Sequence, residues 1–170
     1  MVCEIQLLRN IKHKNIIHLD AVHETQNSVY LIMEICEGGP VIQQGGFTEK
    51  LPLEVVRVIM QALLSLICKV HEEGYVHRDI RPDNILVSDK KVLSSVNQVK
   101  LIDFSSGCEV LDDMSCQRRC GTLGFMAPEL LKGNEFSFCN NMTKCDVFSL
   151  GATFYKLLYG KLPFLRNTSK

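Results

Sequence analysis

The sequence predicts an α+β fold in which helices and short strands follow one another without a regular repeat. Long segments carry apolar residues at helical spacing, shorter segments are apolar and β-branched, and glycine or proline separates them. The length of 170 residues fits one domain, and 19 basic residues balance 19 acidic ones. This balance does not favour a nucleic-acid-binding surface driven by net charge.

The first third of the sequence predicts a short helix followed by a strand pair. Ile5, Leu8 and Ile11 recur at helical spacing among polar side chains. The expected elements are an amphipathic helix over 2–12, strands over 16–19 and 29–34, and a polar turn over 23–28. Glycine and proline at 38–40, and again Gly45 and Gly46, are then expected to break the chain.

The remainder predicts two strongly apolar helices separated by short strands. One helix opens near Pro52 with most of its surface buried, and Gly74 is placed to end it. The other expected elements are strands over 85–88 and 99–102 and a late helix over 147–158. The long stretch between the last strand and the late helix is expected to be a loop.

Polar residues with complementary chemistry cluster at 77–84, whose sequence is His-Arg-Asp-Ile-Arg-Pro-Asp-Asn, and at 103–105, which reads Asp-Phe-Ser. The Asp79 carboxylate suits the task of receiving a proton from a hydroxyl group. Asn84 and Asp103 offer an amide oxygen and a carboxylate, the hard donors that Mg²⁺ prefers. The two segments together therefore indicate metal-assisted transfer to a hydroxyl acceptor.

Two later segments extend this pattern, Ala-Pro-Glu at 127–129 and Asp-Val-Phe-Ser-Leu-Gly at 146–151. In this order the motifs resemble the protein kinase family, and the resemblance runs from Glu4 to Phe164. It implies an enzyme that uses ATP and Mg²⁺ to transfer the γ-phosphoryl group to a protein substrate. Arg81-Pro82 and the segment 121–129 are similar to the serine/threonine branch, so Ser or Thr acceptors are expected.

The resemblance also implies roles for individual residues. Those implied in catalysis are Asp79, Arg81 and Asn84, with Asn84 and Asp103 as metal ligands. Those implied in binding ATP are Glu4, Met33, Glu34, Cys36, Leu86 and Asp103. A hydrophobic stack of Leu8, Leu19, Phe104 and His77 is expected to stand on Asp146.

By the same resemblance, residues 1–170 are expected to form a partial kinase domain. About 1–35 would be the remnant of a small lobe from its helix C onward, and about 36–170 the hinge and the first part of an incomplete, mostly helical large lobe. The family has a glycine-rich loop and a strand lysine before the position of Glu4, which only three residues precede here, and an arginine partner for Glu129 after Phe164. These elements are expected to be missing from this chain. Truncation at both ends leaves two alternatives: an inactive kinase-like binding or regulatory module, or a fragment of an incomplete gene model.

The eight cysteines form neither a C-x-x-C pair nor a regular framework, which is typical of free thiols in a reducing compartment. The protein is therefore expected in the cytoplasm or the nucleus. Its apolar stretches are too short for a membrane span. Exposed apolar surface is expected where the missing elements of the family would pack. A regulatory partner protein that covers this surface is therefore possible, in addition to a protein substrate.

Overall fold

The computed structural model describes residues 2–42, 50–89, 92–112, 119–132 and 142–164. Its helices are α1 (Val2–Asn10), α2 (Leu53–Glu72), α3 (Pro128–Lys132) and α4 (Met142–Tyr159). Its strands are β1 (Leu19–Glu24), β2 (Val29–Met33), β3 (Gly39–Pro40), β4 (Tyr75–Val76), β5 (Ile85–Val87), β6 (Val99–Leu101) and β7 (Cys108–Glu109). This mixed content confirms the predicted α+β class. The expected break at Gly45 and Gly46 lies outside the described residues.

The strands form three small antiparallel sheets. β1 pairs with β2, β3 and β6 flank β5, and β4 pairs with β7. The predicted break at 38–40 contains a turn that leads into β3, which was not predicted and which places Pro40 opposite Leu86. The very short strands β4 and β7 were not predicted, because two residues are too few to show a period. Together the second and third sheets carry the loops that hold the candidate site.

The first predicted strand was placed wrongly at 16–19, because its apolar residues face the core rather than a hairpin. Ile16 forms an isolated parallel bridge with Leu101, and the Ile17 amide donates to the Leu101 carbonyl at 3.1 Å. The hairpin strand instead runs through His23, which lies opposite Tyr30. A tight turn closes it, with the Thr25 amide donating to the Ser28 carbonyl at 2.8 Å.

Helix α2 is the centre of the main hydrophobic core. It ends at Glu72, just before Gly74, as predicted. The core joins α2 to α1, β6 and α4, and a smaller apolar cluster lies beside β4 and β7. The fully or nearly buried residues of α2 are Val56, Ile59, Ala62, Leu63, Leu66, Ile67 and Val70. None of the helices within the described ranges combines the length and apolarity needed to cross a membrane.

Helix α4 begins at Met142, one turn and more before the predicted start at 147. The start was predicted too late because Thr143 and Lys144 make the first turn look polar, although Met142 and Cys145 are buried. Three buried polar side chains follow at Asp146, Ser149 and Thr153. Their hydrogen bonds reach out to loop backbone, so α4 supplies the base on which the candidate site rests.

A close backbone approach makes Gly38 irreplaceable at the start of β3. A Cβ atom there would lie 2.2 Å from the Asp89 carbonyl oxygen, which is backbone and cannot rotate away. We expect Gly38→Ala to lower the free energy of unfolding by about 2 kcal/mol, measured by urea titration. The matched control is Gly151→Ala in α4, where nothing lies within 4 Å. The control should gain about 0.5 kcal/mol, and equal losses for both variants would contradict the steric argument.

Candidate active site

A buried carboxylate at the base of α4 holds the start of the 77–84 loop. Asp146 is 0% exposed, and its two oxygens accept the backbone N–H groups of His77 at 2.9 Å and Arg78 at 2.8 Å. The His71 ring nitrogen Nε2 lies 2.9 Å from the same carboxylate. Arg78 has a φ of 67°, a conformation that costs free energy for a residue with a side chain. The Asp146 hydrogen bonds therefore stabilise a strained loop backbone.

The buried His77 ring connects the 77–84 loop to the 103–105 segment. Its Nδ1 accepts the Asp79 backbone N–H at 3.2 Å, so the proton lies on Nε2 and is donated to the Ile102 carbonyl at 3.2 Å. Burial lowers the pKa of His77, which favours this neutral form. The ring also packs against Phe104 edge to face, with 4.5 Å between centroids. His77 thus fixes both segments in one arrangement.

Asp79 and Asn84 lie side by side in the loop. The Asn84 amide nitrogen donates to the Asp79 carbonyl at 2.9 Å and approaches its Oδ2 at 3.5 Å. This orientation leaves the Asn84 amide oxygen as an available ligand. Asp79 Oδ1 is buried and accepts no hydrogen bond from any described residue. A buried carboxylate oxygen without a donor is costly, and this oxygen is free to accept a hydrogen bond from a bound molecule.

Arg81 joins the loop to the segment 119–132. Its guanidinium donates to the Thr122 hydroxyl at 2.8 Å and pairs with Asp83 at 2.9 Å. The segment comes so close that a Cβ atom on Gly121 would lie 2.7 Å from the Arg78 carbonyl oxygen, at a φ of 108° that also favours glycine. Sequence reasoning missed the Thr122 contact, because only the fold brings the segment onto the loop.

Asp103 stands exposed with a φ of 61°, the second strained residue of the site. Its Oδ1 accepts the Ser105 hydroxyl at 2.5 Å and the Ser105 backbone N–H at 3.3 Å. Glu4 on α1 is half-buried; burial first, and then repulsion from Asp103, raises the pKa of Glu4. Two carboxylates therefore face the same region, where a cation would relieve their repulsion.

The predicted adenine-binding residues lie on a different part of the chain, at and after the end of β2. Met33 is 38% exposed, Cys36 is half-buried, and the Cys36 carbonyl accepts the Gly39 N–H at 3.1 Å. Leu86 is half-buried in β5. Leu86 is connected to the segment after β2 because β5, which contains it, pairs with β3.

Glu34 uses its own N–H and side chain within the fold. The N–H donates to the His18 carbonyl at 3.0 Å, and Oε1 accepts Lys100 at 2.6 Å and the His18 N–H at 2.8 Å. Burial alone would raise the pKa of Glu34, but these hydrogen bonds and the Lys100 charge together lower it. The Glu34 carbonyl is consequently the backbone group that remains for a ligand.

The donor set fits Mg²⁺ rather than a metal held by many protein ligands. Within the described ranges, no three His, Cys, Asp or Glu side chains converge on a metal position. Asn84 and Asp103 offer one amide and one carboxylate oxygen, and Mg²⁺ commonly takes few protein ligands, with phosphate and water filling the rest. The residues present therefore fit Mg²⁺.

Comparison with known proteins identifies the family. The sequence matches the family described as Protein kinase domain over residues 1–170. It is 38% identical to Sperm motility kinase 2B of Mus musculus, covering 96% of this chain and 32% of that protein. It is 33% identical to Serine/threonine-protein kinase 33 of Bos taurus, covering 98% of this chain and 34% of that protein. The chain thus spans about a third of the length of these relatives, and it belongs to the protein kinase family.

Proposed function

We propose that the chain carries the catalytic centre of an ATP- and Mg²⁺-dependent protein kinase that phosphorylates Ser or Thr hydroxyls. One observation carries the proposal: the buried Asp79 Oδ1 accepts no hydrogen bond from the described residues, while Asn84 donates to the carbonyl of the same residue. An acceptor hydroxyl would supply the donor that this oxygen lacks. The family match and the names of the relatives support the reaction class.

The proposal assigns roles to three residues of the 77–84 loop and to Asp103. Asp79 orients the acceptor hydroxyl and takes its proton, and Arg81 places positive charge near the transferred phosphate. Asn84 and Asp103 would hold Mg²⁺, which neutralises phosphate charge when bound. Since little covalent chemistry is asked of the protein, positioning by the tethered loop accounts for most of its contribution.

The ATP-binding residues are assigned by the same proposal. The Glu34 carbonyl and the backbone of Cys36 would contact adenine, between Met33 and Leu86, while Glu4 would pair with the lysine that contacts ATP in the family. Residues 1–35 would then belong to a small lobe and 36–170 to the hinge and the large lobe. A regulatory partner and a cytoplasmic or nuclear location belong to the proposal as well.

A second candidate, an inactive kinase-like binding module, is favoured by the Glu4 side chain. Glu4 makes no ion pair with any residue in the described ranges, and the negative charge of Asp103 acts on it. A kinase without a cation between these carboxylates would hold the nucleotide phosphates weakly. The two candidates differ in a measurable way, because a module binds without transferring phosphate.

Phosphate transfer from radiolabelled ATP to a Ser/Thr peptide library tests the proposal. We expect transfer by the protein with Mg²⁺, none after chelation, and a loss of about a hundredfold or more in Asp103→Asn. Lys14→Gln, an exposed change in the α1–β1 connection, serves as the control and should keep full activity. Nucleotide binding without transfer would overturn the enzyme in favour of the binding module. Phosphate on tyrosine instead would overturn the acceptor class.

A further inference from the structure

We propose that Ser105 makes Asp103 a ligand through one oxygen only, and thereby favours Mg²⁺ over larger cations such as Ca²⁺. The inference rests on the proposed function, since it concerns the same metal position. Ser105 is a positioning residue in this scheme, because it acts through Asp103 and not on the reacting atoms.

The geometry that carries the inference is a pair of hydrogen bonds to one atom. Asp103 Oδ1 accepts the Ser105 hydroxyl at 2.5 Å and the Ser105 backbone N–H at 3.3 Å. Oδ2 accepts no hydrogen bond from the described residues. A short hydrogen bond to a charged acceptor is among the stronger ones, so Oδ1 is engaged and Oδ2 is the oxygen that remains for a metal.

The backbone conformation of Ser105 does not force its hydroxyl toward Asp103. The effect of the hydroxyl can therefore be distinguished from that of the backbone. The residues other than glycine with positive φ in the described chain are Arg78 and Asp103, so Ser105 adopts an ordinary conformation. A residue without a hydroxyl at 105 would retain the longer backbone hydrogen bond and lose the shorter one. The side chain is also exposed, so no packing accounts for its orientation toward Asp103.

Occupation of Oδ1 has different consequences for the two cations. Mg²⁺ requires a compact octahedral shell and is usually bound by single carboxylate oxygens, whereas Ca²⁺ accepts more ligands and often takes both oxygens of a carboxylate. A hydroxyl on Oδ1 therefore costs Mg²⁺ little and denies Ca²⁺ its second contact. It also offsets part of the negative charge that Asp103 presents to Glu4.

Metal titration by calorimetry tests the inference, with Mg²⁺ and Ca²⁺ added separately and ADP present throughout. In Ser105→Ala we expect Ca²⁺ affinity to rise about fivefold and Mg²⁺ affinity to change less than about twofold. Ser105→Gly should behave like Ser105→Ala. Ser105→Thr keeps a hydroxyl and should keep the wild-type ratio of the two affinities.

The outcomes separate this inference from the proposed function. An unchanged Ca²⁺ to Mg²⁺ ratio in both Ser105→Ala and Ser105→Gly, with the wild type binding metal, overturns the role of Ser105 alone. A Thr variant that shifts as much as the Ala variant does the same. Metal binding that survives in Asp103→Asn, or a wild type that takes up neither ion, overturns the proposed site and the inference with it.

Discussion

Asp146→Ala is expected to lower the free energy of unfolding by about 4 kcal/mol, enough to unfold much of the protein at 37 °C. The carboxylate is completely buried and accepts the N–H groups of His77 and Arg78. Its removal leaves two buried donors unpaired and His71 without its partner. The strained backbone at Arg78 then loses the acceptor of its N–H group.

Chemical unfolding followed by circular dichroism measures this loss. Asp146→Asn keeps the shape and one acceptor oxygen, so it should cost about half as much. Asp20→Ala is the matched control: Asp20 is exposed on β1 and lies 3.6 Å from the exposed His18, and its loss should change stability by less than about 0.5 kcal/mol. An Asp146→Ala variant as stable as the control would contradict the view that the loop depends on this carboxylate.

Asp79→Asn is expected to reduce kcat for phosphate transfer by about 10²–10⁴-fold without destabilising the fold. The substitution removes the base but keeps the volume and one side-chain oxygen. Asp79 Oδ1 is buried and accepts no hydrogen bond from the described residues, so loss of its charge should leave the melting temperature unchanged or slightly higher. Lower activity with higher stability is typical of a functional rather than structural residue.

Steady-state kinetics and a thermal melt on the same preparation test both halves of this expectation. Asp20→Asn, on the exposed strand β1, should match the wild type in each measurement. If Asp79→Asn retained normal kcat, another residue would have to take the hydroxyl proton. If its melting temperature fell by several degrees, Asp79 would have a structural role that the present contacts do not show.

The sequence predicted the elements that repeat a clear period and missed those set by tertiary contacts. The helices α1 and α2 carry long apolar stripes, and both were found close to their predicted bounds. The strand at 16–19 was wrong because an apolar run shows that a segment is buried, not what it pairs with. Ile16 pairs with Leu101, which lies far away in sequence.

The candidate site shows the same division. Asp79 and Asn84 are five residues apart in one loop, so their proximity follows from local sequence. The contact between Arg81 and Thr122 spans distant segments and depends on how the fold lays one on the other. The hydrogen bond from the Ser105 hydroxyl to Asp103 was not predicted, because a side-chain hydrogen bond leaves no pattern in sequence.

The rigid His77 ring sets the spacing between two segments that are distant in sequence. On one side it accepts the Asp79 N–H, and on the other it donates to Ile102, the residue directly before Asp103. An aromatic ring has no internal torsion that can stretch. The distance between Asp79 and Asp103, the residues proposed to bind the acceptor and the metal, is therefore fixed before either ligand binds, so binding need not order these residues.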